Sequence, residues 1–421
     1  MKRLRMTFKA DVAVLGAGMV GVSTALHLQA KGRSVVLIDR NGEAGEETSY
    51  GNAGIIERSS IFPYMFPRNF NLLRKYALNA LPEAHYHVAA VPKFLPWLVR
   101  YFGNSSHEMS WQIAMASRPL IENCLVEHKA LMAQAGAEHL LRDVGWLKVF
   151  RTQRSMDQGV AEVARLKPFG INYRILDAAS VRALEPHLDA SVIGGIHLLD
   201  PGFVPDPGAL VKAYAALFEQ RGGDFVKGDA RTLGQDADGW GIDTEDGRLH
   251  ARDAVIALGP WSDDVFKPLG YKLPLSIKRG YHLHFTAQGG ATLNRPIYDA
   301  DGGYVLAPMT RGIRLTTGAE FAARDAEPTP VQIEMTEPAA RKLFPLEHQI
   351  EDVPWMGRRP CMPDMLPVIG RAPKHSGLWF NFGHQHHGFT LGPVSGRLLA
   401  EMITGEKPFT DPMPYAAERF G

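Results

Sequence analysis

The apolar residues of this chain fall into short runs and into longer stretches with a helical period. Near the N-terminus, an apolar run at 12–15 leads into a glycine-rich turn, a helical pattern continues to Leu28, and a second apolar run at 35–38 ends at Asp39. Helical spacing recurs at 111–134, 155–166, 208–220 and 391–403, and apolar runs of strand length occur at 145–150, 194–199, 253–258 and 377–383. The pattern predicts an α/β chain that begins with strand, helix and strand.

A different pattern occupies the second half of the chain. Apolar and polar residues alternate at 275–285, and strand-like runs follow at 303–309 and 312–317. Alternation is typical of an antiparallel sheet with one polar face, whereas the N-terminal unit predicts a parallel sheet. The antiparallel sheet can form the floor of a substrate pocket, and Arg279 and Tyr304 fall inside it.

The glycine-rich turn between the first strand and helix has the spacing G-x-G-x-x-G, with Gly16, Gly18 and Gly21. The first glycine permits a tight turn, the second lets the backbone approach a pyrophosphate, and the third lets the helix pack closely on the strand. Asp39, at the end of the second strand, is placed to accept hydrogen bonds from a ribose. These residues predict a dinucleotide site, and the motif alone is equally compatible with NAD and FAD.

Length, net charge and cysteine content exclude a few classes of protein. The 421 residues suit two domains, or one large α/β body with an inserted part, and a formal net charge of +1 gives no electrostatic reason to expect a nucleic acid partner. The two cysteines, Cys124 and Cys361, form neither a disulfide framework nor a zinc site, so we expect no metal and a cytoplasmic location. The first ten residues resemble a signal peptide, but Asp11 and the glycines interrupt the apolar run that follows.

The segment 59–102 is rich in proline and in aromatic residues interleaved with basic ones. It predicts short helices and apolar loops that cover a pocket. Its mixture of aromatic and basic residues also suits peripheral contact with the inner face of a membrane. The two interpretations are compatible.

Three longer stretches carry a resemblance to a known family. They are VLGAGMVGVSTALHLQAKG, SYGNAGII, and WMGRRPCMPDMLPVIG followed by LWFNFGHQHHGFTLGPVSGRLLAEMI. With these motifs the chain resembles the FAD-dependent amino-acid oxidoreductases of the D-amino-acid oxidase fold, and most closely the bacterial D-amino-acid dehydrogenases. The resemblance implies non-covalent FAD, with Cys361 as a packing residue, and a discontinuous Rossmann-like FAD-binding domain. We expect that domain at 1–60, 190–270 and 345–421, and a substrate-binding domain at 61–189 and 271–344.

The resemblance also implies site residues. Gly16, Gly18, Gly21 and Asp39 would hold the ADP half of FAD, and the loop residues Thr48, Ser49, Asn52, Ala53 and Gly54 would lie along the pyrophosphate and ring. Around the pyrimidine end of the flavin we expect the turn that contains Gly383, Gly388, Phe389 and Thr390. Further cofactor-binding positions are Met19, Val20, Arg40, Val226, Gly259 and Trp261. The substrate carboxylate would be held by Arg279, Tyr304 and Arg359, with His386 and His387 as polar groups of the pocket.

The predicted reaction is hydride transfer from the Cα of a D-amino acid to flavin N5, giving a 2-oxo acid and ammonia, with electrons passed to a quinone or respiratory acceptor. Orientation and desolvation can supply most of the acceleration, so a strong protein base is not required. Alternatives are an oxidase that uses O₂ and an enzyme for a secondary amine or imino acid of the sarcosine, glycine, proline or hydroxyproline type. A nucleotide-binding module without redox chemistry and an NAD-dependent dehydrogenase are more distant alternatives.

Overall fold

The computed structural model describes residues 9–237 and 239–421, so most of the signal-like N-terminal segment lies outside the described residues. The strands are β1 Lys9–Leu15, β2 Val35–Asp39, β3 Ile55–Ile56, β4 Ala84–Tyr86, β5 Trp146–Phe150, β6 Tyr173–Asp177, β7 Gly194–Leu198, β8 Gly202–Phe203, β9 Asp224–Asp236, β10 Gly239–Thr244, β11 Gly247–Ile256, β12 Ser276–Ala287, β13 Ile297–Asp299, β14 Tyr304–Met309, β15 Gly312–Thr316, β16 Ala319–Phe321, β17 Leu346–Gln349, β18 Trp355–Cys361, β19 Val368–Arg371 and β20 Leu378–Phe382. The helices are α1 Met19–Ala30, α2 Phe70–Ala77, α3 Val91–Gly103, α4 His107–Ala135, α5 Gln153–Ala164, α6 Ala178–Leu184, α7 Pro207–Gln220, α8 Asp263–Phe266, α9 Val331–Leu343 and α10 Gly388–Thr404.

A seven-stranded sheet contains the predicted strand–helix–strand unit. Its strands follow the order β1, β2, β9, β10, β11, β20, β19, with β1 also paired to β11. β1 runs parallel to both neighbours, so Leu15 lies opposite Ile38 on β2 and Ile256 on β11. Gly16, Asp39 and Ala257 therefore leave the sheet together at its carboxyl edge, where open α/β sheets bind their ligands.

The second sheet has eleven strands and is mostly antiparallel, with β12 near its centre paired to β15, β16, β17 and β18. One of its faces packs against α9, in a core cluster that contains Tyr281, Leu283, Phe285 and Ile333. The other face, with Gly280 and His282, borders a large cavity. The predicted fold class, α/β with an antiparallel substrate sheet, is confirmed.

Sheet membership corrects the predicted domain boundaries at two places. β7, expected in the cofactor segment 190–270, pairs with β5 and β6 of the second sheet. β17 and β18, expected in the cofactor segment 345–421, pair with β12. Long-range hydrogen bonding decides which sheet a strand joins, and spacing along the chain does not contain that information.

The first and last helices of the chain cross at close range. A Cβ at Gly392 on α10 would fall 2.6 Å from Cγ of Met19, and one at Gly396 would fall 2.8 Å from the backbone nitrogen of Thr24 on α1. The absence of these two side chains lets the helix axes approach. The contact holds the C-terminal helix against the N-terminal unit and positions the turn before α10 over the edge of the sheet.

Among the helices of the described residues, none is both long enough and apolar enough to cross a bilayer. The segment 59–102 forms α2, β4 and α3, in agreement with the prediction of short helices. α2 contains no buried residue, and the segment carries eight of the fifteen exposed large apolar residues of the described chain. Leu73, Tyr76 and Ala77 of α2 border a cavity, whereas Phe70 at the start of the helix is exposed.

Candidate functional site

One cavity of about 1870 Å³ runs between the two sheets. It is lined by 16–20 from the N-terminal turn and by 384–390 from the turn before α10. Two segments that are far apart in the sequence thus share one cleft. The volume exceeds the range of about 300–1,000 Å³ typical of pockets for a single small ligand.

The glycines of the N-terminal turn leave no space for side chains. Gly16 has φ +106°, and a Cβ there would fall 2.6 Å from the carbonyl oxygen of Ala257. A Cβ at Gly21 would fall 1.7 Å from the carbonyl oxygen of Gly16. The turn can exist in this form only with glycine at both positions, and it brings the N-terminus of α1 to the cavity.

Two side chains hold this turn from outside it. The Asp39 carboxylate accepts hydrogen bonds from the backbone N–H of Ala17 at 2.7 Å and of Asn41 at 2.9 Å. Ser49 Oγ accepts from the N–H of Met19 at 3.1 Å. Burial raises the pKa of Asp39, and the two N–H groups counteract that rise. The remaining free N–H groups at the start of α1 form a site for an anion such as a pyrophosphate.

An aromatic residue and a cation lie against each other on the lining of the same cavity. The Arg40 guanidinium lies 4.0 Å from the centre of the Trp261 ring and also pairs with Glu47. Gly259, which opens the turn that contains Trp261, borders the same cavity. A flat base can stack beside such a pair.

The start of α10 presents a second set of free backbone N–H groups. His387 occupies the N-cap position without a side-chain hydrogen bond to the helix, and Gly388, Phe389 and Thr390 line the cavity. Thr390 Oγ1 accepts from the N–H of Glu57 at 3.1 Å, which ties the helix start to the strand after the SYGNAGI loop. The positive end of a 17-residue helix suits the electron-rich pyrimidine edge of a flavin.

Fifteen of the nineteen predicted cofactor residues border the cavity. They are Gly16, Gly18, Met19, Val20, Asp39, Arg40, Thr48, Ser49, Asn52, Ala53, Gly259, Trp261, Gly388, Phe389 and Thr390. Gly21 acts through close packing, Gly54 and Gly383 have φ of +78° and +81° in tight turns, and Val226 packs against the core on β9. The structure therefore corrects the predicted position of Val226, whose side chain does not border the cavity. Its neighbour Lys227 lines the cavity instead, because side chains alternate along a strand.

Arg359, predicted to hold a carboxylate, lies on the cavity face of β18. Its Nη1 donates to the carbonyl oxygens of Gly318 at 2.8 Å and Arg279 at 3.2 Å. It forms no ion pair with a carboxylate within residues 9–237 and 239–421. Burial lowers its pKa, yet an arginine keeps its charge under such conditions. Backbone carbonyls thus hold a charged guanidinium at the lining of the cavity.

Arg279 is not a substrate residue, which corrects the prediction. Its side chain has no accessible surface, and its Nε donates to Glu320 at 2.6 Å. Its remaining donors bind the Tyr281 hydroxyl and backbone carbonyls, including that of Glu327 at 3.0 Å. Along β12, Arg279 shares its face with Tyr281, Leu283 and Phe285, which form the core against α9. Arg279 is spaced by two, four and six residues from these apolar side chains, and this alternation in the sequence could have revealed that it faces the core.

Tyr304 also lies on the core face of the sheet, beside Leu306 and Ile297, although it is among the cavity-lining residues. Burial and then the neighbouring Asp299 carboxylate raise the pKa of Tyr304. The prediction that it holds a substrate carboxylate is not supported by this position. Arg358, expected to face away from Arg359, does so, and its Nε donates to the Arg324 carbonyl at 2.9 Å.

The two histidines predicted for the pocket line it side by side, with ring centres 3.8 Å apart. Tyr64 lies against His386 with a centroid distance of 4.9 Å. Burial lowers the pKa of His386 well below its usual value, and the neighbouring His387, Arg359 and Lys278 lower it further. His386 is therefore neutral at physiological pH and able to share a proton with a ligand. His384 also borders the cavity, but its side chain is buried and its Nε2 is hydrogen-bonded with Ser395 Oγ at 3.1 Å.

Two charged residues of this end of the cavity were missed from the sequence. Lys278 lies on β12 directly opposite Arg359, and Glu57 follows the short strand β3. Tyr64, Glu57 and Arg359 all line the cavity, where enclosure raises the pKa of Tyr64, the Glu57 carboxylate raises it further and Arg359 lowers it. Alternation within 275–285 places Lys278 on the polar face, which could have identified it.

Cys361 is buried at the end of β18, in a cluster with Trp97 and Tyr101. Its carbonyl oxygen accepts from Trp97 Nε1 at 3.1 Å. Burial raises the pKa of its thiol, which disfavours the reactive thiolate. These contacts suit a packing residue, and non-covalent FAD stays a prediction.

Comparison with known proteins identifies the family. The model of the DAO family, described as FAD dependent oxidoreductase, matches residues 11–402. A D-amino-acid oxidase of Bradyrhizobium diazoefficiens is 30% identical over 418 residues, covering 97% of this chain and 98% of that protein. A D-amino acid dehydrogenase of Granulibacter bethesdensis is also 30% identical, covering 97% of this chain and 99% of that protein.

Among solved structures, glycine oxidase from Geobacillus kaustophilus superposes with a TM-score of 0.74 at 22% identity, covering 98% of this chain and 99% of that one. At this identity the likeness shows the fold. The resemblance stated from the sequence motifs, the enzyme class and the cofactor FAD are confirmed by the family match. The glycine turn, which side chains would fill, and the two free helix starts fit such a dinucleotide.

Proposed function

Because this chain belongs to the DAO family of FAD-dependent oxidoreductases, we propose that it catalyses the oxidative deamination of a D-amino acid and passes the electrons to a quinone or another respiratory acceptor. The names of its relatives, D-amino-acid oxidase and D-amino acid dehydrogenase, support the substrate class and its configuration.

The observation that carries this proposal is Arg359. A guanidinium anchored by backbone carbonyls, facing the cavity and without an acidic partner in the described chain, has the chemistry to bind a carboxylate through two parallel hydrogen bonds. An anchored fork fixes the orientation of the α-carboxylate and therefore of the Cα–H bond beside it. Such positioning can supply on the order of 7–11 kcal/mol of the barrier reduction.

Other residues of the cavity act on the amine. The Glu57 carboxylate, whose pKa burial raises, can accept a hydrogen bond and a proton from a substrate ammonium. Tyr64 and the neutral His386 pack against each other on the lining of the cavity, which also includes Arg359. Bound FAD supplies the acceptor for the hydride that leaves Cα. The resulting imino acid then reacts with water to give the 2-oxo acid and ammonia.

The first experiment compares adjacent arginines that face opposite ways. We expect Arg359→Met to raise the KM for amino acids by at least about tenfold while FAD stays bound, because the carboxylate loses a charged bidentate partner. Arg358→Met, on the other face of β18, should leave KM unchanged. Both enantiomers of each amino acid and several cyclic imino acids are assayed in steady state with the holoenzyme and an artificial electron acceptor, and the flavin-to-protein ratio of each variant is measured from its absorbance. An unchanged KM in Arg359→Met would remove Arg359 from the site.

The acceptor is tested separately. The relative named an oxidase favours O₂ as a second candidate acceptor. In our proposal, turnover with a quinone analogue is fast and peroxide release in air is slow. Stoichiometric peroxide at a rate that matches substrate consumption would establish the oxidase instead.

We also propose that the exposed aromatic and basic face of 59–102 contacts a membrane surface. Phe70 and Val99 have 78% and 63% of their surface exposed, and Arg74, Lys75 and Arg100 are exposed beside them. Apolar insertion and attraction to anionic lipid act together in such a face, each basic residue contributing about 1 kcal/mol.

Flotation with vesicles tests this contact. The wild-type protein should float with anionic vesicles and much less with neutral ones, and Phe70→Ser with Val99→Ser should abolish flotation. Ile175→Ser, which changes an exposed apolar residue on β6, should have no effect. Equal flotation of all variants would show that this face does not contact lipid.

A further inference from the structure

Lys278 is the second cation on the cavity face of the substrate sheet. It lies directly across from Arg359 in the β12–β18 pairing, and along β12 it shares its face with Gly280 and His282. All four residues border the cavity. Lys278 has no role in the carboxylate clamp described above, so its presence in the cavity requires a separate explanation.

The ammonium group of Lys278 is surrounded by three aromatic rings. Its Nζ lies 4.3 Å from the ring centre of Tyr101, 5.0 Å from that of Trp97 and 5.5 Å from that of Phe321. Ring faces attract a cation, but they accept none of its three hydrogen bonds in the way that an oxygen does. The cage therefore holds the ammonium in place and leaves its donors available.

No anion of the chain neutralises this ammonium. Within the described residues, Lys278 forms neither an ion pair nor a side-chain hydrogen bond, whereas Lys148, on the same wall of the cavity, is paired with Glu162 at 2.9 Å. Burial lowers the pKa of Lys278, and Arg359 adds to that effect. An enclosed cation without a partner is unfavourable, and an anionic ligand would remove the penalty.

The two cations mark two separate positions. The Arg359 guanidinium lies over Gly280 and binds the carbonyl of Gly318, whereas the Lys278 ammonium lies among the rings of α3 and β16. Because the two cations have different surroundings, a ligand with two anionic groups and a spacer between them can satisfy both. An amino acid with a carboxylate in its side chain has this arrangement.

We propose that Lys278 forms a subsite for a side-chain carboxylate, so that the preferred substrates are acidic amino acids, with the α-carboxylate on Arg359 and the distal carboxylate on Lys278. This inference rests on the proposed function, because it assumes that Arg359 binds the α-carboxylate of an amino acid. Glu57 remains available for the amine, and the charge of Glu162 is already compensated by Lys148.

The test compares acids with their amides, which have nearly the same shape and no charge. We expect kcat/KM for D-glutamate or D-aspartate to exceed that for D-glutamine or D-asparagine in the wild-type holoenzyme. Lys278→Met, which keeps the length of the side chain and removes its charge, should lower that ratio at least about tenfold. Lys129→Met, which changes an exposed lysine on α4 that does not border the cavity, is the matched control and should leave the ratio unchanged. A ratio that is the same in Lys278→Met and in the wild type would overturn the inference.

A binding measurement keeps the inference testable without turnover. Glutarate and pentanoate have equal chain lengths and differ by one carboxylate, and their binding to the holoenzyme is followed through perturbation of the flavin spectrum. We expect glutarate to bind more tightly, with the preference lost in Lys278→Met. Should that variant fail to fold, equal affinity for the two acids in the wild type would overturn the inference.

The two proposals fail in different ways. If no amino acid of either configuration reduces the bound flavin, the proposed function is wrong, whatever the result with glutarate. If neutral amino acids reduce the flavin as efficiently as acidic ones, only the Lys278 subsite is wrong.

Discussion

The guanidinium of Arg359 lies directly over Gly280, so that a Cβ at position 280 would fall 2.5 Å from Nη1 and 2.6 Å from Nη2. Glycine at this strand position therefore leaves the space that the Arg359 guanidinium occupies. Any side chain at 280 would displace the fork from the carbonyl of Gly318 that anchors it.

We expect Gly280→Ala to lower kcat/KM for amino acids by about 10- to 100-fold, since a displacement of about 1 Å in a positioning group has that effect. FAD content should not change, because position 280 lies on the substrate sheet and not in the glycine turn. Gly234→Ala, where the nearest atom would be 3.6 Å from the new Cβ, is the control. Steady-state kinetics measure kcat/KM for both variants. If kcat/KM of Gly280→Ala equals that of the wild type, the role assigned to Arg359 is contradicted.

Arg279 should matter for stability and not for substrate. Arg279→Met leaves the fully buried Glu320 without its cation, which destabilises a protein by about 3–5 kcal/mol. Urea unfolding measures this loss, and Arg248→Met, which breaks an exposed pair with Asp243, should lose less than about 1 kcal/mol. Where the Arg279→Met protein is still folded, its KM should match that of the wild type.

Gly21 is expected to be essential for the cofactor. In Gly21→Ala the new methyl group would overlap the Gly16 carbonyl oxygen, so the turn that meets the pyrophosphate must open. We expect FAD affinity to fall at least about tenfold, measured as the flavin-to-protein ratio at graded FAD concentrations. Gly42→Ala, which has no atom within 4 Å of its new Cβ, should bind FAD normally. A normal ratio in both variants would argue against this account of the turn.

His128 should make the fold sensitive to acid. It joins α4 to α7 and α10 through Tyr214 at 3.2 Å and the Phe389 carbonyl at 2.9 Å, and burial lowers the pKa of its imidazole from 6.5 to about 4. The folded state therefore favours neutral histidine. Its contribution is complete above pH 6.5 and is lost as the pH falls towards 4, by about 3 kcal/mol in total.

The amide of His128→Gln can still donate to the Phe389 carbonyl but does not titrate in this range. The variant should therefore show a smaller loss of unfolding free energy between pH 7.5 and pH 4.5 than the wild type. His348→Gln, which removes a histidine side chain that is 80% exposed, serves as the control for a surface position. Identical pH profiles for His128→Gln and the wild type would contradict the prediction.

The dinucleotide site could be predicted because its requirements are local. Gly16, Gly18 and Gly21 lie within six residues, and each glycine meets a constraint set by the strand, turn and helix that contain it. Asp39 adds the end of the next strand, which a parallel pairing brings to the same edge. A motif of this kind remains visible in a sequence since nearly all its contacts are among near neighbours.

The proposed substrate-binding part of the cavity depends on contacts between residues that are far apart in the sequence, and these contacts cannot be inferred from the order of residues alone. Lys278 and Arg279 are adjacent charged residues on a strand, so one had to face the cavity and the other the core. Only the packing of α9 against Tyr281, Leu283 and Phe285 shows that Arg279 is buried and that Lys278 meets the ligand. The pairing of β18 with β12 likewise brings Arg359 over Gly280, across nearly eighty residues of chain.

Local backbone geometry and apolar periodicity were thus enough to predict the class of fold and the cofactor turn, and the family resemblance implied most of the other residues that border the cavity. Which face of the substrate sheet meets the ligand, and which cations are left without partners on that face, emerged only from the folded chain. The reason is physical: a side chain's partner is chosen by the burial of distant elements, and that burial is a property of the whole assembly of strands and helices.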